Sequence, residues 1–93
     1  AVQYEMIEVL SPLVQTYYLA GEKEKANSLM QDFVEAEKQK VEYYAQYDRR
    51  RFPQINSYYM AAFKNLQSAE ELAQRFGDTK LKEQIEQILN KLN

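Results

Sequence analysis

The segment from Tyr17 to Phe33 constrains the fold of this chain most, because it contains the end of one helix, a glycine and the start of a second helix. It reads Y-Y-L-A-G-E-K-E-K-A-N-S-L-M-Q-D-F. Gly21 suits the left-handed backbone conformation that commonly ends a helix. The apolar residues after it recur at steps of three and four, as on one face of a helix. The segment therefore predicts a helical hairpin.

The remaining glycine and proline positions predict a second hairpin. The chain has 93 residues but only two glycines and two prolines. Gly77 suits another helix end, Asp78 is a candidate N-cap, and Pro53 suits the first turn of a helix, where its missing N–H is not needed. No segment of useful length alternates as a strand does. The sequence predicts an all-α protein of four helices in antiparallel hairpins.

We predict a single helical domain over 1–93, with hairpin one at about 3–50 and hairpin two at about 53–92, and we expect it to be a fragment of a longer protein. Two starts of the first helix stay open. Ser11 can cap a helix that begins at Pro12, or one helix can run over residues 3–20 with a kink at the proline.

The second helix has no breaking residue between Glu22 and Pro53, so we predict about 28 residues or roughly 42 Å. The third is expected near 53–76 and the fourth from Thr79. Their apolar stripes predict these core residues: Ala26, Leu29, Met30, Phe33, Val34, Val41 and Tyr44 in the second helix; Ile55, Tyr59, Ala62, Leu66, Ala69, Ala73 and Phe76 in the third; and Leu81, Ile85, Ile88 and Leu92 in the fourth.

Composition removes most catalytic chemistry. Cysteine and histidine are both absent, which excludes disulfides, the usual zinc ligand sets and imidazole bases. Carboxylates such as Glu35 and Glu42 remain, but Glu35, Glu37 and Glu42 lie among lysines, as on a solvated helix face. Di-metal helical bundles need Glu-x-x-His. We predict no catalytic residues, no metal site, no cofactor and no enzymatic activity.

The first hairpin resembles a tetratricopeptide repeat. Tyr17, Gly21 and Ala26 have the spacing of that family's late aromatic in helix A, turn glycine and small residue in helix B. The match covers about 35 residues, with Leu10, Leu13, Val14, Met30 and Phe33 at apolar positions of the repeat. The second hairpin departs from the pattern at Lys82, and its glycine follows the first by 56 positions rather than about 34. We therefore do not expect regular solenoid stacking.

A second resemblance rests on P-L-V-Q-T-Y-Y-L-A-G-E-K-E-K-A-N followed by V-E-Y-Y. These runs resemble the C-terminal segment of an uncharacterised bacterial multi-pass membrane protein family grouped with mannosyltransferase-like proteins. The resemblance implies a soluble helical tail on a membrane-embedded part, in a periplasmic or other extracytoplasmic setting. The sequence itself leaves localisation unknown. No catalytic residue carries over, because the matched segment is not that family's catalytic region.

An aromatic and basic cluster is the best candidate for a binding surface. Folding about Gly21 and Gly77 leaves the far end of the second helix and the start of the third uncovered, at a projecting tip. Tyr and Arg are the side chains most often found as binding hot spots. The candidate partner-binding residues are Tyr43, Tyr44, Tyr47, Arg49, Arg50, Arg51, Phe52, Tyr58 and Tyr59.

The structural alternative is that these rings pack only on one another or on a missing N-terminal segment, and that the arginines offset the negative end of the second helix. On the functional interpretation, the partner is a protein, either another part of the same chain or a separate molecule. A free-standing adaptor or homo-oligomer is the alternative to a membrane-protein tail. One three-residue basic run does not make a nucleic-acid-binding face, and the polar helix faces are not rich enough in Lys and Arg for direct membrane binding.

Overall fold

The computed structural model describes residues 12–92, and over these residues the chain forms four helices and no strand. Helix α1 covers residues 12–19 of the described part. It is followed by α2 (Lys23–Tyr44), α3 (Pro53–Arg75) and α4 (Thr79–Lys91). The all-α prediction is confirmed. The choice between a helix start at Ser11 and a longer kinked helix from residue 3 lies outside the described residues.

The helices form antiparallel hairpins, with α3 at the centre. α3 packs along both α2 and α4, whereas α2 and α4 touch only slightly. α1 meets the far end of α3, where the Tyr18 ring stacks on Phe76 with centroids 4.4 Å apart and planes 10° from parallel. The Tyr18 hydroxyl also donates a hydrogen bond of 2.6 Å to Asn27 Oδ1 on α2. One aromatic residue of α1 thus joins three helices.

The helix boundaries follow from the residues that predicted them. Gly21 and Gly77 have φ of 82° and 74°, the left-handed conformation expected at a helix end. Pro53 is the first residue of α3. Asp78 caps α4, because its Oδ1 accepts a hydrogen bond of 3.1 Å from the Leu81 N–H. These local signals were interpreted correctly.

Helix α2 is shorter than predicted. It ends at Tyr44 after 22 residues, or about 33 Å, and not close to Pro53. Beyond Tyr44 the backbone tightens into i→i+3 turns, in which the N–H groups of Gln46 and Tyr47 donate to the carbonyls three residues back. Asp48 then closes a second turn, because its side chain accepts from the Arg50 N–H at 3.1 Å. Such local bonds compete with helix continuation.

The core lies along the seam between α2, α3 and α4. Most predicted apolar positions are buried there, although Leu29, Tyr44, Phe76 and Leu92 are only partly covered and Ile55 is at an intermediate depth. The buried apolar residues are Val14, Ala26, Met30, Phe33, Val34, Val41, Tyr59, Ala61, Ala62, Leu66, Ala69, Leu72, Ala73, Leu81, Ile85, Ile88 and Leu89.

Glu37 contradicts the expectation of a solvated face. Its side chain is fully buried between Val34 and Val41 on the same stripe of α2. Its Oε1 accepts from Lys40 Nζ at 3.1 Å, and no described residue bonds its Oε2. The prediction failed because it weighed residue type above position: residue 37 follows Val34 by three and precedes Val41 by four, as a core position does.

The bundle is elongated, with extents of 47 × 25 × 16 Å. Within residues 12–92, no helix combines the length and the apolar character needed to cross a membrane.

Candidate interaction surface

One end of the bundle consists of side chains that the core does not cover. We call residues 43–58 the tip: it contains the end of α2, the connecting loop 45–52 and the first turns of α3. None of its side chains is buried, and the first buried residue of α3 is Tyr59. This end of the bundle therefore presents only exposed or partly exposed side chains.

Tyrosine rings form the frame of the tip. Tyr43 meets Tyr44 and Tyr47 edge to face, each with centroids 5.4 Å apart. Tyr44 reaches across to Tyr58 of α3 at 5.7 Å. The Tyr47 hydroxyl donates to the Tyr43 hydroxyl at 2.9 Å, and Gln54 Nε2 donates to the Tyr58 hydroxyl at 2.8 Å. The rings therefore hold one another in place and link the two helices.

These rings still present much of their area to solvent. The exposed fractions are 53% for Tyr43, 47% for Phe52, 41% for Tyr58 and 39% for Tyr47. Tyr59 differs, because it is only 4% exposed and packs beside Phe63 at 6.3 Å. Of the nine residues predicted for this surface, Tyr59 supports the tip from below, and the others lie on it.

The three arginines have different neighbours. The Arg49 guanidinium lies 3.9 Å from the centre of the Tyr59 ring, which is close cation–π geometry. Arg51 lies 5.9 Å from the Phe52 ring, and Arg50 is exposed. Within residues 12–92 none of the three forms a salt bridge; the ion pairs found there all involve lysines. The guanidinium groups of the tip are therefore not neutralised by ion pairs with carboxylates in the described part of the chain.

An open cleft of about 520 Å³ lies beside these arginines. It is lined by Ala45, Tyr47, Asp48, Arg49, Arg50 and Asn56. Tyr47 belongs both to this cleft and to the tyrosine frame, so the aromatic surface and the cationic cleft are continuous. The cleft offers two guanidinium groups and an amide as hydrogen-bond donors. The Tyr47 O–H already donates to Tyr43, so its oxygen can only accept there.

The start of α3 adds positive potential at the same place. The first N–H groups of a helix have no partner within the helix and carry a partial positive charge. In the described structure no side chain caps α3, and its first turn has no acidic residue. Arg49, Arg50 and Arg51 immediately precede this end. The tip therefore combines two sources of positive potential.

The tip also contains a tyrosine with perturbed ionisation. The hydrogen bond to Tyr43 raises the pKa of the Tyr47 hydroxyl, and the electrostatic interaction with Tyr43 and slight burial act in the same direction. Tyr47 is therefore a neutral phenol across the physiological pH range, and its bond to Tyr43 is retained.

Sequence reasoning did not identify three polar residues of this surface: Asp48, Gln54 and Asn56. Their positions depend on the path of the loop, although an Asp in a loop and two amides after a helix-starting proline are typical of turn and helix-start chemistry.

Elsewhere, α2 and α4 border a groove of about 380 Å³ that includes Val41, Ile88 and Leu92. The described residues contain no cluster of three or more potential metal-binding side chains.

The fold and this surface define an all-α helical bundle with an aromatic, cationic tip. A comparison with protein-family models finds no match, and searches of the curated proteins and of the solved structures find none either.

Proposed function

We propose that this chain is a non-catalytic helical interaction module that binds a protein partner through its tip. The observation that carries the proposal is the uninterrupted run 43–58 without a buried side chain, in which four rings are between 39% and 53% exposed. Surface patches of this kind commonly mark binding sites in soluble proteins.

The organisation of the rings supports a binding role beyond mere exposure. Association costs free energy whenever mobile side chains must become ordered. Here Tyr43, Tyr47 and Tyr58 are already held by hydrogen bonds between side chains. A partner therefore meets a preorganised surface, which reduces that cost. Tyr and Arg are also the residue types enriched among binding hot spots.

The wider setting is part of the same proposal. The packing of α3 between α2 and α4, with Tyr18 of α1 on the end of α3, suits a tetratricopeptide-like pair of hairpins. Together with the resemblance of residues 12–27 to a membrane-protein tail, it leads us to propose a soluble C-terminal module of a larger bacterial membrane protein. Transmembrane segments encoded upstream of Ala1 would support this setting. A coding region that begins at that residue would contradict it.

Site-specific photo-crosslinking tests the binding role. A photoreactive amino acid at position 58, on the tip, is compared with one at position 64, an exposed site further along α3. In the full natural protein in its own cells, we expect discrete crosslinked products from position 58 and none of the same size from position 64. Equal patterns from the two sites would contradict a specific surface.

The partner found in this way is then purified and titrated against variants. We expect Tyr47→Ala/Arg50→Ala to weaken binding about tenfold or more, since each loss at a hot spot exceeds about 1 kcal/mol. The control Lys64→Ala/Gln67→Ala changes two exposed side chains away from the tip and should bind as the unaltered chain does. Circular dichroism should show equal helix content in both. Unchanged binding of the tip variant would refute the proposal.

A homodimer is the second candidate. Sedimentation of the isolated chain distinguishes the two: a dimer that the tip variant disrupts would assign the exposed rings to self-association.

A further inference from the structure

The charge of the tip indicates what kind of protein segment it binds. Residues 43–58 contain three arginines and one aspartate, a net charge of +2, whereas the whole chain carries −2. Asp48 is the only carboxylate among these residues, and its Oδ1 already accepts from the Arg50 N–H. The tip is therefore a local cationic surface on an acidic protein.

We propose that the tip binds an acidic peptide segment of its partner that also carries an apolar side chain; this inference rests on the proposed function above. The carboxylates would lie at the cleft beside Arg49 and Arg50, where planar guanidinium groups can bind them with two hydrogen bonds. The apolar side chain would lie on the exposed face of Tyr43, which touches Tyr47 at the edge of the same cleft.

The free tip carries an electrostatic cost that such a ligand removes. A helix start is stabilised by negative charge, but α3 has no capping side chain among the described residues and no acidic residue in its first turn. Three arginines lie next to it instead. Negative charge placed there would interact favourably with both the arginines and the partial positive charge of the helix start.

The observations favour an acidic peptide over a nucleic acid. Arginine and tyrosine suit phosphate contacts and base stacking, but binding along a strand needs a positive groove that continues for several nucleotides. Here the positive charge is confined to Arg49–Arg51, and Glu42 immediately precedes the tip. A short segment with two or three carboxylates matches this small patch better.

Fluorescence anisotropy tests the proposal directly. The probe is a labelled peptide of Glu and Asp residues around a central Phe-Leu pair, and its control has Gln and Asn in place of the acids. We expect the acidic peptide to bind, to weaken as salt increases because the charges are exposed, and to bind at least tenfold more tightly than the neutral control. No binding of the acidic peptide at low salt would overturn the proposal, as would equal binding of the two peptides.

A matched pair of charge reversals locates the site. Arg50→Glu should weaken the acidic peptide about tenfold or more, since it replaces attraction by repulsion. It should also raise the Tm of the free chain, because it places a negative charge near the start of α3. Lys80→Glu makes the same charge change in the exposed first turn of α4, at the other end of the bundle. It should leave peptide binding unchanged. Equal losses of peptide affinity in the two variants would show a non-specific charge effect and would overturn the assignment of the site to the tip.

Two further measurements separate the other possible occupants. A labelled single-stranded DNA that binds more tightly than the acidic peptide would overturn the proposal in favour of nucleic acid. A chain that self-associates, and loses this property in Arg50→Glu, would assign the tip to the acidic surface of a second copy and overturn a separate partner. If the peptide fails while crosslinks from position 58 persist, the tip still binds a protein and only the acidic chemistry is wrong.

Discussion

Replacing the buried carboxylate Glu37 by methionine should make this bundle more stable. Its side chain is fully buried and its Oε2 is not bonded by any residue in the described part of the chain. An unsatisfied buried acceptor costs about 1–3 kcal/mol. Methionine has a similar size and would fill the space between Val34 and Val41 without that cost.

The magnitude depends on the partner of Glu37. The ion pair with Lys40 Nζ at 3.1 Å returns some of the desolvation cost, but the Lys40 side chain keeps 29% of its exposure, so water weakens the attraction. Because the Lys40 side chain is partly exposed, its ammonium can turn to solvent in Glu37→Met, so this variant leaves no buried charge behind. The gain is the relief of the unsatisfied acceptor, about 1–3 kcal/mol, less the weakened ion pair. We expect Glu37→Met to raise the free energy of unfolding by about 1 kcal/mol, and the Tm by roughly 4–8 °C in a domain of this size.

The converse variant should act in the opposite direction. Lys40→Met leaves the buried carboxylate without its cation, and breaking a buried pair costs about 3 kcal/mol at the lower end of the usual range. That is a large fraction of the roughly 5–15 kcal/mol that stabilises a small domain. In Glu37→Met/Lys40→Met the loss should disappear, because no buried charge remains.

Urea unfolding followed by circular dichroism measures all three variants. Glu35→Met on the same helix is the matched control, because Glu35 is exposed and its replacement should stay within about 0.5 kcal/mol. A Glu37→Met variant that loses more than about 1 kcal/mol would refute the reasoning, since the carboxylate would then be stabilising the core through contacts outside those described.

The other predictions concern the Gly21 and Gly77 end of the bundle, and each is measured by denaturant unfolding. Tyr18→Phe removes the hydrogen bond to Asn27 and should cost about 1 kcal/mol. Burial, with the charge of Asp78, raises the pKa of Tyr18 above its usual 10.0. The stability that comes from this shift is fully present below pH 10.0 and is lost as the pH rises through the pKa of the folded state. The Tyr18→Phe variant should therefore lose less stability at alkaline pH than the unaltered chain. Gly77→Ala meets open space but keeps a φ of 74°, so we expect a loss of about 1 kcal/mol from strain alone. Asp78→Ala removes the cap on the Leu81 N–H and should also cost about 1 kcal/mol. If the free energy of unfolding of a variant is unchanged, the stabilising role assigned here to that residue is wrong.

The starts of α3 and α4, and the helix ends at Gly21 and Gly77, could be predicted because their sequence signals are local. Pro53 begins α3 and Asp78 caps α4 through geometry that involves only a few neighbouring residues. The end of α2 could not be predicted in the same way. No glycine or proline follows Tyr44 until Pro53, and the helix stops because turn hydrogen bonds centred on Asp48 compete with it.

Side-chain depth was predictable where periodicity and residue type agreed. They agree for Val34, Val41 and Leu66, which are all fully buried. They disagree for Glu37, and there position proved the better guide. Position also decides the depth of Tyr59. It lies on the same helix stripe as Ala62 and Leu66 and is buried with them, although its neighbour Tyr58 is exposed.

The candidate surface was predictable in outline, because the positions of the two glycines determine which ends of the helices lack a neighbour. The cleft was not predictable, since it depends on how loop 45–52 places Arg50 beside Asn56. Exposure of the rings follows from chain topology, whereas their mutual hydrogen bonds require the actual distances.

The starts of α2, α3 and α4 differ in the charges that surround them. α2 has an acidic residue, Glu24, in its first turn, and α4 has the Asp78 cap. α3 has neither among the described residues, and three arginines precede it. Departures from the rules that stabilise local structure are expected mainly at functional sites, where another requirement outweighs stability. α2 and α4 each have a carboxylate at their start. α3 begins with the usual proline but, among the residues that the structure describes, has no carboxylate in its first turn or as a cap, and four aromatic rings are exposed at the same end of the bundle. Two departures therefore coincide at one end of the bundle, and binding of an acidic segment with an apolar side chain would account for both of them.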